Sequence, residues 1–163
     1  MRRSSLSFIG LGGNLGDVRA TFARALAAMD GWTDSSLEAV SRTYRNPPMG
    51  SPDQPDYLNA VAALRTTASP LELLDALQRL ERDAGRRRDG PRWGARLLDL
   101  DLLLYDDLQI DEPRLKLPHP GVHLRAFVIH PLAEIAPHVV VPGRGSAACI
   151  AARTDASMLT PLS

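Results

Sequence analysis

Long apolar runs are missing from this 163-residue chain. Nothing approaches the ~20 consecutive apolar residues that a membrane helix needs, so no spanning segment is expected. Cysteine is nearly absent. Cys149 stands alone, which excludes an intrachain disulfide and an all-cysteine metal site. Lysine is as rare: of nineteen basic residues eighteen are Arg, and Lys116 is the sole Lys. A P-loop, whose glycine-rich turn ends in Lys-Ser or Lys-Thr, is therefore excluded, and Schiff-base chemistry would rest on Lys116 alone. Net charge is missing too. Nineteen basic residues balance nineteen acidic ones, which removes the simplest argument for a general nucleic-acid or membrane-surface binder. Met1-Arg2-Arg3 faintly resembles a twin-arginine start. The apolar run behind it is short and broken by Gly10, Gly12, Gly13 and Asn14, so no signal peptide is expected and the cytoplasm is the expected compartment.

What is present is ordinary globular material. Hydrophobic residues make up 44% and charged residues 23%, which fits a single domain spanning residues 1–163. Leu6, Phe8 and Ile9 are expected to begin a short strand that ends at Gly10-Leu-Gly-Gly-Asn. Asp17 then reads as the N-cap or a first-turn acid of a helix whose apolar face is Phe22, Ala25, Leu26 and Met29. A second strand is expected over Leu37–Arg45, an irregular proline-rich loop over Asn46–Pro55, and a third strand over Tyr57–Thr66. Ser69-Pro70 has the form of an N-cap with Pro at the first helical position, followed by the stripe Leu71, Leu74, Leu77, Leu80 and a stop at Gly85. A fourth strand over Leu97–Tyr105 and a helix over Leu124–Ile135, interrupted near Pro131, complete the pattern; residues 143–163 have no assigned role. The order βαββαβ predicts an α+β fold, a ferredoxin-like sandwich with an antiparallel sheet, helices packed on one face and a C-terminal extension.

The most informative stretch is Leu98-Asp99-Leu100-Asp101-Leu102-Leu103-Leu104. Alternate side chains of a strand share a face, so Asp99 and Asp101 project together while Leu98, Leu100, Leu102 and Leu104 face the other way. Two carboxylates on one face can converge on a divalent ion. On the strand alone, ion pairs with neighbouring arginines remain an alternative, since unpaired acids there would be costly. The adjacent segment favours metal and phosphate. From Arg79 to Arg96 there are seven Arg against Glu81, Asp83 and Asp89, on a helix end and a Gly- and Pro-bearing loop. Guanidinium forks match phosphate oxygens, and carboxylates with Mg²⁺ complete what polyphosphate chemistry requires.

These residues resemble a known family. Arg92-Trp-Gly-Ala-Arg-Leu-Leu-Asp-Leu-Asp-Leu-Leu103 is similar to the signature of the 6-hydroxymethyl-7,8-dihydropterin pyrophosphokinases of the folate pathway. Phe8–Asp17, Arg45-Asn-Pro-Pro-Met-Gly, Gln54-Pro-Asp-Tyr-Leu-Asn-Ala, Leu117-Pro-His-Pro and Arg125-Ala-Phe127 resemble further blocks of that family, in order, over roughly residues 6–142. The resemblance implies a diphosphokinase of tetrahydrofolate biosynthesis that moves pyrophosphate from ATP to the pterin hydroxymethyl group and releases AMP. It implies two Mg²⁺ held by Asp99 and Asp101, with Arg86 and Arg96 neutralising transition-state charge. Arg88, Arg114, Lys116, His119 and Arg125 would bind ATP. The pterin would lie between Tyr57 and Phe127, its edge read by Asn59, with Trp93 closing over it and Asn46, Pro47 and Met49 adding contacts. ATP and the pterin are the expected partners of a monomer acting in sequence with other folate-pathway enzymes, with no nucleic acid and no membrane. Departures from the family pattern are Gly13 for Ser, Lys116 for a small polar residue, and Asn46 and Leu97 for Thr. An RNA-binding module would need exposed strand aromatics in the order K/R-G-F/Y-G/A-F-V-x-F/Y, which this chain lacks. A regulatory domain that binds nucleotide without turnover is the other reading, separable by a product assay.

Overall fold

The computed structural model describes residues 2–48, 53–85 and 97–162. Met49, Arg86, Arg88, Trp93 and Arg96 lie outside the described residues. In chain order the elements are β1 (Ser5–Gly13), α1 (Val18–Asp30), β2 (Ser35–Val40), β3 (Thr43–Asn46), β4 (Tyr57–Thr66) and α2 (Pro70–Asp83). There follow β5 (Asp99–Tyr105), β6 (Ile110–Asp111), β7 (Lys116–Leu117), α3 (Ala126–Ile135), β8 (Val140–Val141), β9 (Gly145–Ser146), α4 (Ala147–Ala152) and β10 (Thr160–Leu162). Among the described residues, no helix is long and apolar enough to cross a membrane.

Local chemistry explains the helix starts. The Asp17 carboxylate accepts the Ala20 N–H at 3.1 Å. Ser69 and Glu72 form a reciprocal capping box with Pro70 just inside α2, and Gly85, at φ +95°, follows its end. The antiparallel sheet runs β10-β3-β4-β1-β5, with β2 also paired to β4. The ten-residue β4 thus serves as common partner to β1, β2 and β3.

Strand alternation divides the interior in two. Ile9 and Leu11, Ala60, Ala62 and Leu64, and Leu98, Leu100 and Leu102 point to α1 and α2, meeting Phe22, Met29, Leu73 and Leu77. Phe8, Val61, Ala63 and Leu103 point the other way, to Val128, Ile129 and Leu132 of α3 and Ile150 of α4. Helices therefore cover both faces of the sheet, not one as expected.

Other expectations are corrected. β1 continues through Gly13 instead of ending at Gly10, because Gly10, Gly12 and Gly13 keep full register with Val61, Asn59 and Leu58. Register between β1 and β5 slips between Phe8 and Ile9, which face Leu104 and Leu102; Leu103 is the bulged residue. The bulge turns Leu104 onto the α3 side with Leu103, so the leucine face opposite the acids ends at Leu102. The expected second strand is broken into β2 and β3 at Ser41-Arg42, where the Ser41 hydroxyl accepts the Val61 N–H. β5 begins at Asp99, two residues later than expected. α3 begins at Ala126 and runs unbroken past Pro131: the missing N–H is offset by burial of Val128, Ile129 and Leu132. Residues 143–162 do have a role. β10 pairs with β3 and extends the sheet beyond it.

Candidate active site

The site is built on the α3-facing side of the sheet, where the strands carry unusual residues. Gly12 pairs with Asn59 of β4 on one side and Asp99 of β5 on the other; Gly10 pairs with Val61 and Asp101. Residues paired across antiparallel strands share a face. Among the described residues, Gly12 leaves a strip of bare backbone between Asn59 and Asp99, while the Leu103 side chain packs over Gly10, 3.4 Å from where its Cβ would be. A Cβ at Gly12 would lie 3.1 Å from Asn59 Oδ1, tighter than an ordinary contact, so a side chain there would ask Asn59 to give way by a few tenths of an ångström. Gly13, on the other face, would bring a Cβ to 2.8 Å from the Leu97 carbonyl oxygen, so two of the departures from the family pattern lie in contact.

On the β3–β4 side, Asn46 pairs with Tyr57 and Tyr44 with Asn59. Asn59 and Asn46 are 6% and 8% exposed. The Asn59 amide donates to Asn46 Oδ1, and Asn46 Nδ2 donates to the Pro47 carbonyl at 3.1 Å. Fixed amides of this kind can read the edge of a flat polar heterocycle. Tyr57 and Phe127 are both half-buried, and Phe127 packs on the same cluster as Val61. Buried Asn14, at the end of β1, donates at 3.1 Å to Gln54 Oε1 and to the Pro55 carbonyl, tying the segment before β4 to the glycine strip.

On the β5 side, half-buried Asp99 and Asp101 line a cavity of about 320 Å³ along the strand's outer edge. The same cavity is lined by Gln78 and Glu81 of α2 and by Arg114, Lys116 and His119. Glu81 is 4% exposed and accepts the Leu100 N–H at 2.8 Å, satisfying an edge amide of β5. The segment after β7 is pinned to the same edge, where the His119 N–H meets the Leu103 carbonyl at 2.9 Å. His119 Nδ1 accepts the Gly121 N–H at 3.0 Å, leaving Nε2 to bear the ring proton. Burial lowers the His119 pKa, Asp101 pulls it back up and Arg125 lowers it again; the net direction is down. A neutral, donating imidazole results. The Arg125 side chain occupies the space where Gly121 would carry a Cβ, at 2.7 Å, and its guanidinium lies 5.9 Å from the Phe127 ring centroid. Arg114 pairs with Asp75 and Lys116 with Asp111, both in exposed contacts of the kind that exchange readily for phosphate.

Most sequence-derived candidates thus gather at one end of the sheet. Asn46, Pro47, Tyr57, Asn59 and Phe127 stand on one side of the glycine strip; Asp99, Asp101, Arg114, Lys116 and His119 stand on the other, with Arg125 near both His119 and Phe127. Sequence reasoning missed Glu81 and the strip itself. Glu81 follows Leu73 and Leu77 at helical spacing, so an acid on the apolar stripe was its signal. Among the described residues no group of three or more His, Cys, Asp and Glu could hold a metal. A carboxylate pair fits Mg²⁺ that completes its shell from water and substrate phosphates.

The sequence model of the 7,8-dihydro-6-hydroxymethylpterin-pyrophosphokinase (HPPK) family matches residues 8–137. The chain is 47% identical over 135 residues to the 2-amino-4-hydroxy-6-hydroxymethyldihydropteridine pyrophosphokinase of Pseudomonas aeruginosa, covering 83% of each. It is 37% identical to the Bacillus subtilis protein of the same name, covering 83% of this chain and 81% of that one. Among solved structures, wild-type Plasmodium falciparum HPPK-DHPS with pteroate superimposes with a TM-score of 0.75 at 10% identity. That match covers 94% of this chain and 45% of the Plasmodium chain, so the chain spans under half its length, and the likeness concerns the fold. By its motifs, its matched length and its identity to these relatives, the chain belongs to the 7,8-dihydro-6-hydroxymethylpterin-pyrophosphokinase family.

Proposed function

We propose that this chain transfers pyrophosphate from ATP to the hydroxymethyl group of 6-hydroxymethyl-7,8-dihydropterin, giving AMP and the pterin diphosphate for folate biosynthesis. One observation carries the reading. A carboxylate pair lining a cavity with cationic side chains stands across the bare backbone of Gly12 from a buried amide pair, so an anionic and a heterocyclic substrate can meet over Gly12.

The hydroxymethyl oxygen attacks the β-phosphorus in line, the bond from that phosphorus to the α,β-bridging oxygen breaks, and AMP leaves with the electron pair while the hydroxyl proton is lost. Little covalent work falls to the protein; positioning and charge neutralisation do the rest. Asp99 and Asp101 would hold two Mg²⁺, which when bound screen the phosphate oxygens and polarise the phosphorus. Arg114, Lys116, Arg88, Arg125 and the neutral His119, donating from Nε2, hold the triphosphate and nucleotide. Arg86 and Arg96 take the charge that develops on the transferring group. Tyr57 and Phe127 stack the pterin, Asn59, Asn46, Pro47 and Met49 read its edge, and Trp93 closes over it. In this reading the sheet with β2 and β3 counted as one bent strand is the ferredoxin-like βαββαβ core, and residues 1–163 act as one domain, a cytoplasmic monomer.

The test is a product assay with ATP, Mg²⁺ and the dihydropterin. AMP and pterin diphosphate should appear in equal amounts; ADP with pterin monophosphate, or nucleotide binding without turnover, would refute the reading.

A further inference from the structure

Beyond the residues that would touch substrate, one polar cluster joins the two elements that flank the pterin side. Glu134 lies in the last turn of α3, seven residues after Phe127 and so on the same side of the helix two turns on. An acid there opposes the helix macrodipole, so helix stability does not account for it. Its partners do. Glu134 Oε2 accepts the Arg42 backbone N–H at 2.8 Å, at the break between β2 and β3. Oε1 accepts the Tyr44 hydroxyl and the Arg42 Nε–H, the latter at 3.3 Å. Arg42 Nη2 reaches the Tyr44 hydroxyl at 3.3 Å, with its guanidinium 5.6 Å from the Tyr44 ring centroid.

Tyr44 is 7% exposed and pairs across the strands with Asn59, while Asn46 lies two residues on from it. The cluster therefore binds one end of α3 to β3, the strand that carries Asn46 of the amide pair, while the other end of α3 carries Phe127. Burial raises the Glu134 pKa, but the Tyr44 hydroxyl and the Arg42 N–H and guanidinium bring it below the ordinary carboxylate value, so the carboxylate is charged at neutral pH.

We propose that Glu134 and Tyr44, with the Arg42 backbone, are positioning residues that set the gap between α3 and β3–β4 and so govern pterin affinity far more than nucleotide affinity. The inference rests on the functional reading above. Its geometric basis is that the Asp99–Asp101 cavity is lined from α2, β5 and residues 113–120, none of which the cluster touches; Arg125, at the N-cap of α3, is the nucleotide-side residue that a shift of the helix would reach.

Glu134→Gln puts an amide donor against either the Arg42 N–H or the Tyr44 hydroxyl; Tyr44→Phe removes one hydroxyl and keeps the ring. Each should raise the pterin KM and the pterin Kd, measured by calorimetry without turnover, about tenfold, with ATP KM within about twofold. The double variant should be little worse than either single one, because both break one unit. Unchanged pterin affinity in both singles, additive effects in the double, or equal losses for ATP and pterin tracking a lower melting temperature would each overturn the proposal. If Glu134→Gln does not fold, Tyr44→Phe decides alone. Failure of the wild-type chain to form pterin diphosphate would instead remove the functional reading, and the calorimetric arm would report that separately.

Discussion

The two faces of the sheet are made by alternate residues of the same strands, yet they do opposite things. Toward α1 and α2, β1, β4 and β5 present Ile9, Leu11, Ala60, Ala62, Leu64, Leu100 and Leu102, and this end of the sheet is filled. Toward α3, the same stretches present Gly10, Gly12, Asn59, Asp99 and Asp101, and α3 packs only farther along, on Phe8, Val61, Ala63, Leu103 and Leu104. Period-two alternation lets one segment of chain anchor the fold with one residue and furnish chemistry with the next. The packed face supplies the rigidity that holds the open face in register. A functional constellation on strands of this kind is positioned more narrowly than one on loops.

The sharpest way to break the comparison is to mutate neighbours on β5. Asp101→Ala or Asp99→Ala should lower kcat by roughly 10³-fold or more, because charge stabilisation of the transferring group is lost, while the urea midpoint hardly moves. Leu100, one position away and 4% exposed, should behave in reverse. Leu100→Ala should cost about 2–5 kcal/mol of stability through lost burial and a residual cavity, and although Leu100 also lines the cavity, the kcat of the remaining folded enzyme should fall far less than in either Asp variant. Near-normal turnover in both Asp variants would remove the carboxylate pair from the chemistry. A kcat collapse in Leu100→Ala without destabilisation would mean that the faces are not separable.

A smaller effect tests the bare strip. Gly12→Ala pushes its methyl toward Asn59 Oδ1, on the same amide whose Nδ2 donates to Asn46. Pterin KM should rise about tenfold, in keeping with the ~1–3 kcal/mol that overpacking costs, and ATP KM should stay put. An ATP defect of equal size would show that the strip serves the nucleotide as well.

How far the sequence disclosed this arrangement depends on the range of the interactions involved. Asp99 and Asp101 were legible because alternation is local. So were Asp17, Ser69-Pro70 and Gly85, whose capping chemistry acts within a few residues. The span of β4 was legible from its β-branched and small apolar content. Gly10 to Gly13 misled, since glycine reads as a breaker unless one knows that a strand needs bare backbone beside Asn59. The bulge at Leu103 and the Ser41-Arg42 break depend on partner strands, and no local pattern marks them. Continuation of α3 through Pro131 is decided by burial, a tertiary term that overrides propensity. The Glu134–Tyr44 contact joins residues ninety apart in sequence, and β10 meets β3 from the far end of the chain. Neither has a local signature.

The mildest perturbation belongs to the packed face, at the start of α2, the helix that also brings Gln78 and Glu81 to the cavity. The Ser69 hydroxyl accepts the Glu72 N–H, and the Glu72 carboxylate accepts the Ser69 N–H at 2.8 Å and pairs with Arg2. Ser69→Ala should cost about 1 kcal/mol, read from urea unfolding, and leave both KM values alone. The backbone N–H of Ser69 and the Arg2 guanidinium hold the Glu72 carboxyl at about 2, below its ordinary 4.5. A depressed carboxylate pKa adds stability that is fully present above the unfolded-state value and drains away as the pH falls from about 4.5 through about 2. Glu72→Gln should therefore flatten that acid limb of the stability curve slightly and leave turnover at neutral pH unaltered. A loss of turnover at neutral pH in this variant would mean that the α2 cap reaches the cavity, and that the filled face does more than hold the open one.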